Sequence, residues 1–149
     1  LRTRDMEVVT SVKNLNKIAP WLLAALRTDH AGETGAVWIY KGVLSTSRDS
    51  QVLEFATRHL ETEREHLLLL ESVLDVTSRT RFLPLWKLAG FIIGALPALI
   101  GRSAVFATIE AVETFVVEHY ESQIQILLET GKNSDILALL RKCSADEAQ

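Results

Sequence analysis

The sequence predicts an all-α protein: a four-helix bundle with an additional apolar helical segment between its two helix pairs. Three observations predict it. Glycine and proline are scarce, seven and three in 149 residues, so there are few places to break a helix. Apolar residues recur at helical spacing over long stretches rather than alternating. The candidate breaks leave only short links, as between antiparallel neighbours in a bundle. At 149 residues, 48% hydrophobic and 23% charged, the chain is expected to form one domain, residues 1–149, with a substantial core.

The elements follow in order. The first long helix is expected from about Pro20 to Leu44, with Pro20 suited to the N1 position after Ala19. Asp49 or Ser50 caps a second helix reaching about Val76. A Ser-Arg-Thr-Arg turn, residues 78–81, follows. Another long helix covers roughly Arg102 to Thr130 and ends at Gly131 as a C′ residue. Asn133 or Ser134 caps the last helix, which continues toward the end of the chain.

Between the pairs lies FLPLWKLAGFIIGALPALIG, residues 82–101, with a single charge at Lys87. Pro84 and Pro97 are expected to shorten any regular helix there. Only 14 uncharged residues separate Lys87 from Arg102. At 1.5 Å per residue these reach about 21 Å, too little for a core of about 30 Å. A segment dipping into one leaflet fits better, with Trp86 and Lys87 at headgroup level. The plain alternative is a buried crossover, and Gly90, Gly94 and Gly101 allow close helix packing in either case.

Several classes are disfavoured. The formal net charge of −3 gives no general attraction for nucleic acid. The single cysteine, Cys143, excludes an internal disulfide and a cysteine-built zinc site, and reads as a small apolar residue on a helix. No secretory signal is expected near the N-terminus. Arg2 and Arg4 do not make a transit peptide, because Asp5 and Glu7 follow them. Further residues are expected before Leu1.

The stretch HLETEREHL, residues 59–67, packs three glutamates beside an apolar run. Glu61 can pair with Arg58 or Arg64 on the surface, and Glu65 can face water. Glu63 and His66 remain, and i,i+3 spacing puts them on one helix face. On the first helix Glu33 sits among Gly32, Gly35 and Ala36, and on the third long helix Glu113 sits close to Val112 and Phe115. Tyr40 is seven after Glu33, and Tyr120 is seven after Glu113, about two turns along the same stripe. Glu147 supplies an acidic residue on the last helix, as Glu63 does on the second.

This layout matches a carboxylate-bridged dimetal site: one Glu from each of two helices and Glu-x-x-His from each of the other two. Four carboxylates converging in an apolar core are tenable only around cations. Oxygen and imidazole ligands suit iron or manganese better than zinc. The expected ligands are Glu33, Glu63, His66, Glu113 and Glu147. Asp29 and His30, one turn from Glu33, are expected to hydrogen-bond a ligand. His59 is expected at the surface.

LRTDHAGETGAVWIYKG (26–42), EREHL (63–67), LPLWKLAGFIIGAL (83–96) and AVETFVVEHYESQ (111–123) occur in this order. Together they resemble the demethoxyubiquinone hydroxylase family of ubiquinone biosynthesis. The resemblance implies a ferritin-like fold, a non-haem centre of two iron ions, and hydroxylation of a demethoxyquinone lipid ring by O2 and two electrons. It implies an external electron donor, NADH among the candidates. It implies a place on one membrane leaflet, on the cytoplasmic face of a bacterial inner membrane or the matrix side of a mitochondrial one. A lipid-presenting partner and other quinone-biosynthesis proteins are further expected partners. His119 and Tyr120 resemble family positions close to the iron site that relay a proton or an electron. A sixth ligand, a histidine, is implied at position 150, just past Gln149. Two rival readings are a ferritin-like iron-handling or rubrerythrin-like peroxide-scavenging protein, and a membrane scaffold for quinone-pathway enzymes.

Overall fold

The computed structural model describes residues 18–149. The expectations about Arg2, Arg4, Asp5 and Glu7 lie outside the described residues. Helix α1 spans Pro20–Thr46, α2 Ser50–Val73, α3 Leu83–Ile100, α4 Arg102–Thr130 and α5 Ser134–Glu147, with a 3-10 turn at Val76–Ser78. No strand occurs among the described residues. The fold is a ferritin-like helical bundle, α1, α2, α4 and α5, with α3 as the added apolar helix.

Local chemistry explains the ends. Pro20 lies in the first turn of α1, where its missing N–H costs nothing. The Asp49 carboxylate accepts from the backbone N–H groups of Gln51 and Val52, so Asp49 rather than Ser50 is the cap of α2. Asp49 also holds Arg102, at 2.7 Å, which ties the start of α2 to the start of α4. Gly131 ends α4 in the left-handed conformation at φ 62°. Asn133 precedes α5 without a side-chain cap bond.

Two apolar clusters sit at opposite ends of the bundle. One joins Leu22, Leu26, Leu69, Leu70, Leu127 and Leu139. The other joins Val37, Val43, Val52, Ala56, Val105 and Ile109. Cys143 is buried in the first cluster, where burial raises its thiol pKa, as expected of a small apolar residue. Buried Glu33 of α1 and buried Glu63 and His66 of α2 fall along their helices between the two clusters.

Helix α3 departs from expectation. It is unbroken for 18 residues, about 27 Å at the standard rise. Pro84 falls in its first turn, and Pro97 lies within four residues of its end, so neither interrupts it. By length and composition it is long and apolar enough to cross a membrane, with mean hydropathy 1.8. The buried-crossover alternative does not hold, since only Gly90 and Gly94 of α3 are buried. Leu85, Leu88, Leu96, Leu99 and Ile100 are all more than half exposed. A Cβ on Gly90 would overlap the Gly35 carbonyl, and one on Gly94 the Ile39 carbonyl. Successive contacts therefore advance along both helices, so α3 runs parallel to α1 with backbones touching. A Cβ on Gly101 would meet nothing; at φ 145° this residue turns the chain from α3 into α4.

Candidate metal centre

Glu33 on α1, Glu63 and His66 on α2, and Glu147 on α5 meet between the two apolar clusters. Each offers one ligand atom, and these atoms lie within 4.8 Å of one another. The i,i+3 spacing of Glu63 and His66 places both on the inner face of α2, as the sequence predicts. His66 Nδ1 stands 3.1 Å from Glu147 Oε1, 3.5 Å from Glu63 Oε2 and 3.8 Å from Glu33 Oε2. Glu63 Oε2, His66 Nδ1 and Glu147 Oε1 are buried and have no hydrogen-bond partner. Buried polar atoms left unpaired are costly. Three of them converging on one point, from carboxylates and an imidazole, form a donor set that fits a divalent cation.

The surroundings orient these donors. His66 Nε2–H donates to Asp146 Oδ2 at 3.1 Å, which turns Nδ1 inward toward the carboxylates. Asp146 is held in turn by Lys142 at 2.8 Å. The Tyr120 hydroxyl donates to Glu33 Oε1.

The electrostatics have the same sense. Burial opposes charge on His66, but Glu147, Glu33 and Glu63 outweigh it and raise its pKa far above the ordinary value. Burial raises the Glu63 carboxyl well above the usual range against the pull of the adjacent His66, and the charges of Glu33 and Glu147 add to the rise. Burial works to raise Glu33 as well, yet contact with His66 prevails and lowers it. Such a cluster attracts positive charge to its centre.

Glu113 is not part of this four-residue group. Its Oε1 accepts from the Tyr40 hydroxyl at 3.0 Å and meets His59 Nδ1 at 3.2 Å. Glu113, Glu63, Glu147 and Tyr40 line one small cavity of about 10 Å³, so Glu113 faces the same carboxylates across it. His59 is not at the open surface. It is packed on Phe55 with ring centroids 4.0 Å apart and engages Glu113.

His119 is half-exposed and donates from Nε2–H to Asp29 Oδ1 at 2.9 Å. Asp29 is buried and also accepts from Gln123 Nε2 at 2.8 Å. The pairing with Asp29 raises the His119 pKa; burial raises that of Asp29. The expected hydrogen bonds from Asp29 and His30 to a ligand are not present. Asp29 turns to His119, and His30 Nε2–H donates to Glu71 at 3.2 Å. Those polar side chains find nearer partners on α4 and α2.

An apolar cavity of about 150 Å³ connects these groups, lined by Gly32, Glu33, Trp86, Phe115, His119 and Tyr120 among others. Trp86 on α3 and the exposed Phe115 on α4 place part of its rim beside the apolar face of α3. Sequence reasoning missed Asp146 and Gln123. Gln123 could have been noticed as the i+4 neighbour of His119. Asp146 carried no signal beyond adjacency to Glu147.

A helical bundle with a buried carboxylate–histidine cluster capable of holding metal defines the general class. The chain belongs to the family described as Ubiquinone biosynthesis protein COQ7, which it matches over residues 20–149. It is 34% identical over 129 residues to the human protein named NADPH-dependent 3-demethoxyubiquinone 3-hydroxylase, mitochondrial, covering 83% of this chain and 59% of that one. The rat protein of the same name is 31% identical over 144 residues, 93% of this chain and 65% of that one. The 3-demethoxyubiquinol 3-hydroxylase of Rhodospirillum rubrum is 40% identical over 101 residues, 66% of this chain and 48% of that one. The chain thus spans less than two thirds of the length of these curated relatives.

Proposed function

We propose that this chain is the catalytic domain of a di-iron hydroxylase that adds a hydroxyl group to the ring of a demethoxyquinone lipid. The observation that carries the reading is the Glu33–Glu63–His66–Glu147 cluster, whose Glu33 also lines an apolar cavity with a rim beside an exposed apolar helix. One oxygen atom of O2 replaces a ring hydrogen as hydroxyl. The other leaves as water, with two electrons and two protons supplied from outside. The names of the mammalian relatives point to NADPH as the donor for those proteins, and NADH is among the candidates for this one.

Glu33, Glu63, His66, Glu147 and Glu113 would hold two iron ions, Glu113 through the cavity it shares with Glu63 and Glu147. Iron would supply O2 activation. The chain's own residues do the rest. Tyr120 keeps Glu33 oriented, and burial with the Glu33 charge beside it keeps that hydroxyl protonated. His119, fixed by Asp29 at the cavity wall, exchanges protons with the substrate ring. Trp86, Phe115 and Val116 give the cavity an apolar wall against water.

Residues 82–101 are read as a membrane-interacting segment within a single ferritin-like domain. Helix α3 lies against α1 with backbones in contact, and α1 carries buried Asp29, His30 and Glu33. Crossing the bilayer would carry those charges toward lipid, at high cost. Lying in one leaflet leaves them in the bundle and exposes only the apolar face of α3. The place proposed is the cytoplasmic face of a bacterial inner membrane, or the matrix side of a mitochondrial one. The exposed apolar helix disfavours a soluble iron-storage or peroxide-scavenging protein, and the buried donor cluster disfavours a metal-free scaffold.

The test is quinone mass spectrometry in a strain lacking the gene, with and without the wild-type gene restored. Accumulated demethoxyquinone, cleared by wild type and not by Glu63→Ala, is the expected result. An unchanged quinone profile on deletion refutes the assignment.

A further inference from the structure

Residues 76–109 contain Arg79, Arg81, Lys87 and Arg102 and no aspartate or glutamate. The chain carries −3 overall and +4 in this stretch, which leaves −7 for the rest. The positive stretch is the one that presents the apolar face of α3. Two of its cations are used internally: Arg79 pairs with Glu71 at 3.7 Å, and Arg102 with Asp49. Arg81 and Lys87 have no ion-pair partner among the described residues. Neither has Lys41 of α1, whose ammonium lies over the Trp38 ring at 4.3 Å. Lys87 reaches the same ring from α3 at 5.9 Å, and the ring in turn meets Phe91 of α3. Two lysines from two helices therefore converge on one indole at the flank of the apolar face.

We propose that this face docks on a bilayer rich in anionic phospholipid, with Lys41, Arg81 and Lys87 meeting the negatively charged headgroups while the outer residues of α3 enter the acyl region. The inference rests on the membrane reading above and adds the charge of the surface recognised. Tryptophan with lysine at the edge of an apolar helix is the usual composition of the headgroup layer. From Leu88 to Ile100 no side chain carries a hydrogen-bonding group. That suits lipid better than an acidic protein partner, whose interface would ask for directional polar contacts. Each cation near an anionic membrane strengthens binding about five-fold, and the attraction is screened by salt.

Flotation of the iron-loaded protein tests it, with vesicles of phosphatidylcholine alone and of phosphatidylcholine mixed with phosphatidylglycerol. Wild type is expected to favour the mixed vesicles strongly at low salt and to lose that preference at high salt. The triple variant Lys41→Gln, Arg81→Gln, Lys87→Gln is expected to lose about a hundredfold on mixed vesicles and little on neutral ones. Leu88→Ser with Leu96→Ser is expected to weaken binding to both. Circular dichroism and Tm confirm that each variant folds. Equal binding to both vesicles, or a triple variant that binds like wild type, overturns the charge proposal and leaves the membrane reading standing. Binding to neither overturns both. Displacement by inorganic phosphate, but not by chloride at the same ionic strength, would mean a discrete phosphate site and also overturns it.

Discussion

Tyr120 of α4 donates its hydroxyl to Glu33 of α1, across the bundle. The reverse pair exists too: Tyr40 of α1 donates to Glu113 of α4. Each tyrosine shares a helix stripe with one glutamate yet bonds the other helix's glutamate. The seven-residue repeat in the sequence is thus a reciprocal cross-brace between α1 and α4.

That brace predicts matched losses. Tyr120→Phe leaves Glu33 Oε1 without its donor, and Tyr40→Phe does the same to Glu113. Residues that orient metal ligands commonly contribute about 10–100-fold to metal affinity. Competition with a coloured chelator for ferrous iron should show a loss in that range for Tyr120→Phe. Wild-type affinity would mean that the Glu33 carboxylate needs no such support.

Asp146 should behave in the same way through His66. Asp146→Ala removes the acceptor for His66 Nε2–H and lets the ring rotate or change tautomer. A drop of about 10–100-fold in iron affinity is expected, with partial recovery in Asp146→Asn, whose carbonyl oxygen can still accept. Identical affinities in Ala and Asn variants would assign the effect to charge rather than orientation.

Glu63 and Glu61 make a paired control two residues apart. Glu63 is buried among the donors, while Glu61 is exposed and bonded to Arg64 at 3.3 Å. The purified full-length protein should hold about two irons per chain. Glu63→Ala should lose most of that iron and Glu61→Ala none, measured by elemental analysis. Equal loss from both would refute the inward placement of Glu63.

Two glycine-to-alanine changes should have opposite signs. Gly94→Ala drives a methyl group into the Ile39 carbonyl and should cost about 1–3 kcal/mol, or roughly 2–4 °C in Tm per kcal/mol. Gly32 has open space at its Cβ position, so Gly32→Ala should raise stability by up to about 1 kcal/mol through helix propensity. Thermal unfolding of both decides it; a harmless Gly94→Ala would mean α3 is not held backbone to backbone on α1.

The His119–Asp29 pair gives a pH dependence with a definite sign. Pairing raises the His119 pKa above its ordinary 6.5, so its stabilising contribution is complete below 6.5 and is lost as pH rises through the folded value. The Tm gap between wild type and His119→Gln should therefore be widest in mildly acidic buffer and narrow on the alkaline side. A gap that widens with pH would mean His119 is not stabilised as the imidazolium by Asp29.

By itself the sequence determined the helices, the inner face of α2 and the apolar character of α3. These are local matters. Caps such as Asp49, the stop at Gly131, and the i,i+3 placement of Glu63 and His66 depend on residues within one or two turns. The joint spacing of Glu33, Glu63, His66 and Glu147 was legible for the same reason, because a bundle of known period brings equivalent stripes inward.

Only the tertiary structure decided which polar groups serve the donors. Asp29 and His30 sit one turn from Glu33, but a side chain bonds whichever partner packing brings nearest. For Asp29 that is His119, 90 residues away, and for His30 it is Glu71. The partner of His66 is Asp146, 80 residues away, and His59 is drawn inward by Glu113. The course of α3 was decided in the same way: prolines at positions 84 and 97 suggest a shortened helix, but one lies in the first turn and the other near the last, where few hydrogen bonds are lost. Gly90 and Gly94 then let α3 settle on the α1 backbone, and that contact leaves its apolar side facing outward. Distances between helices depend on how side chains from different parts of the chain pack together, which helical period alone does not encode.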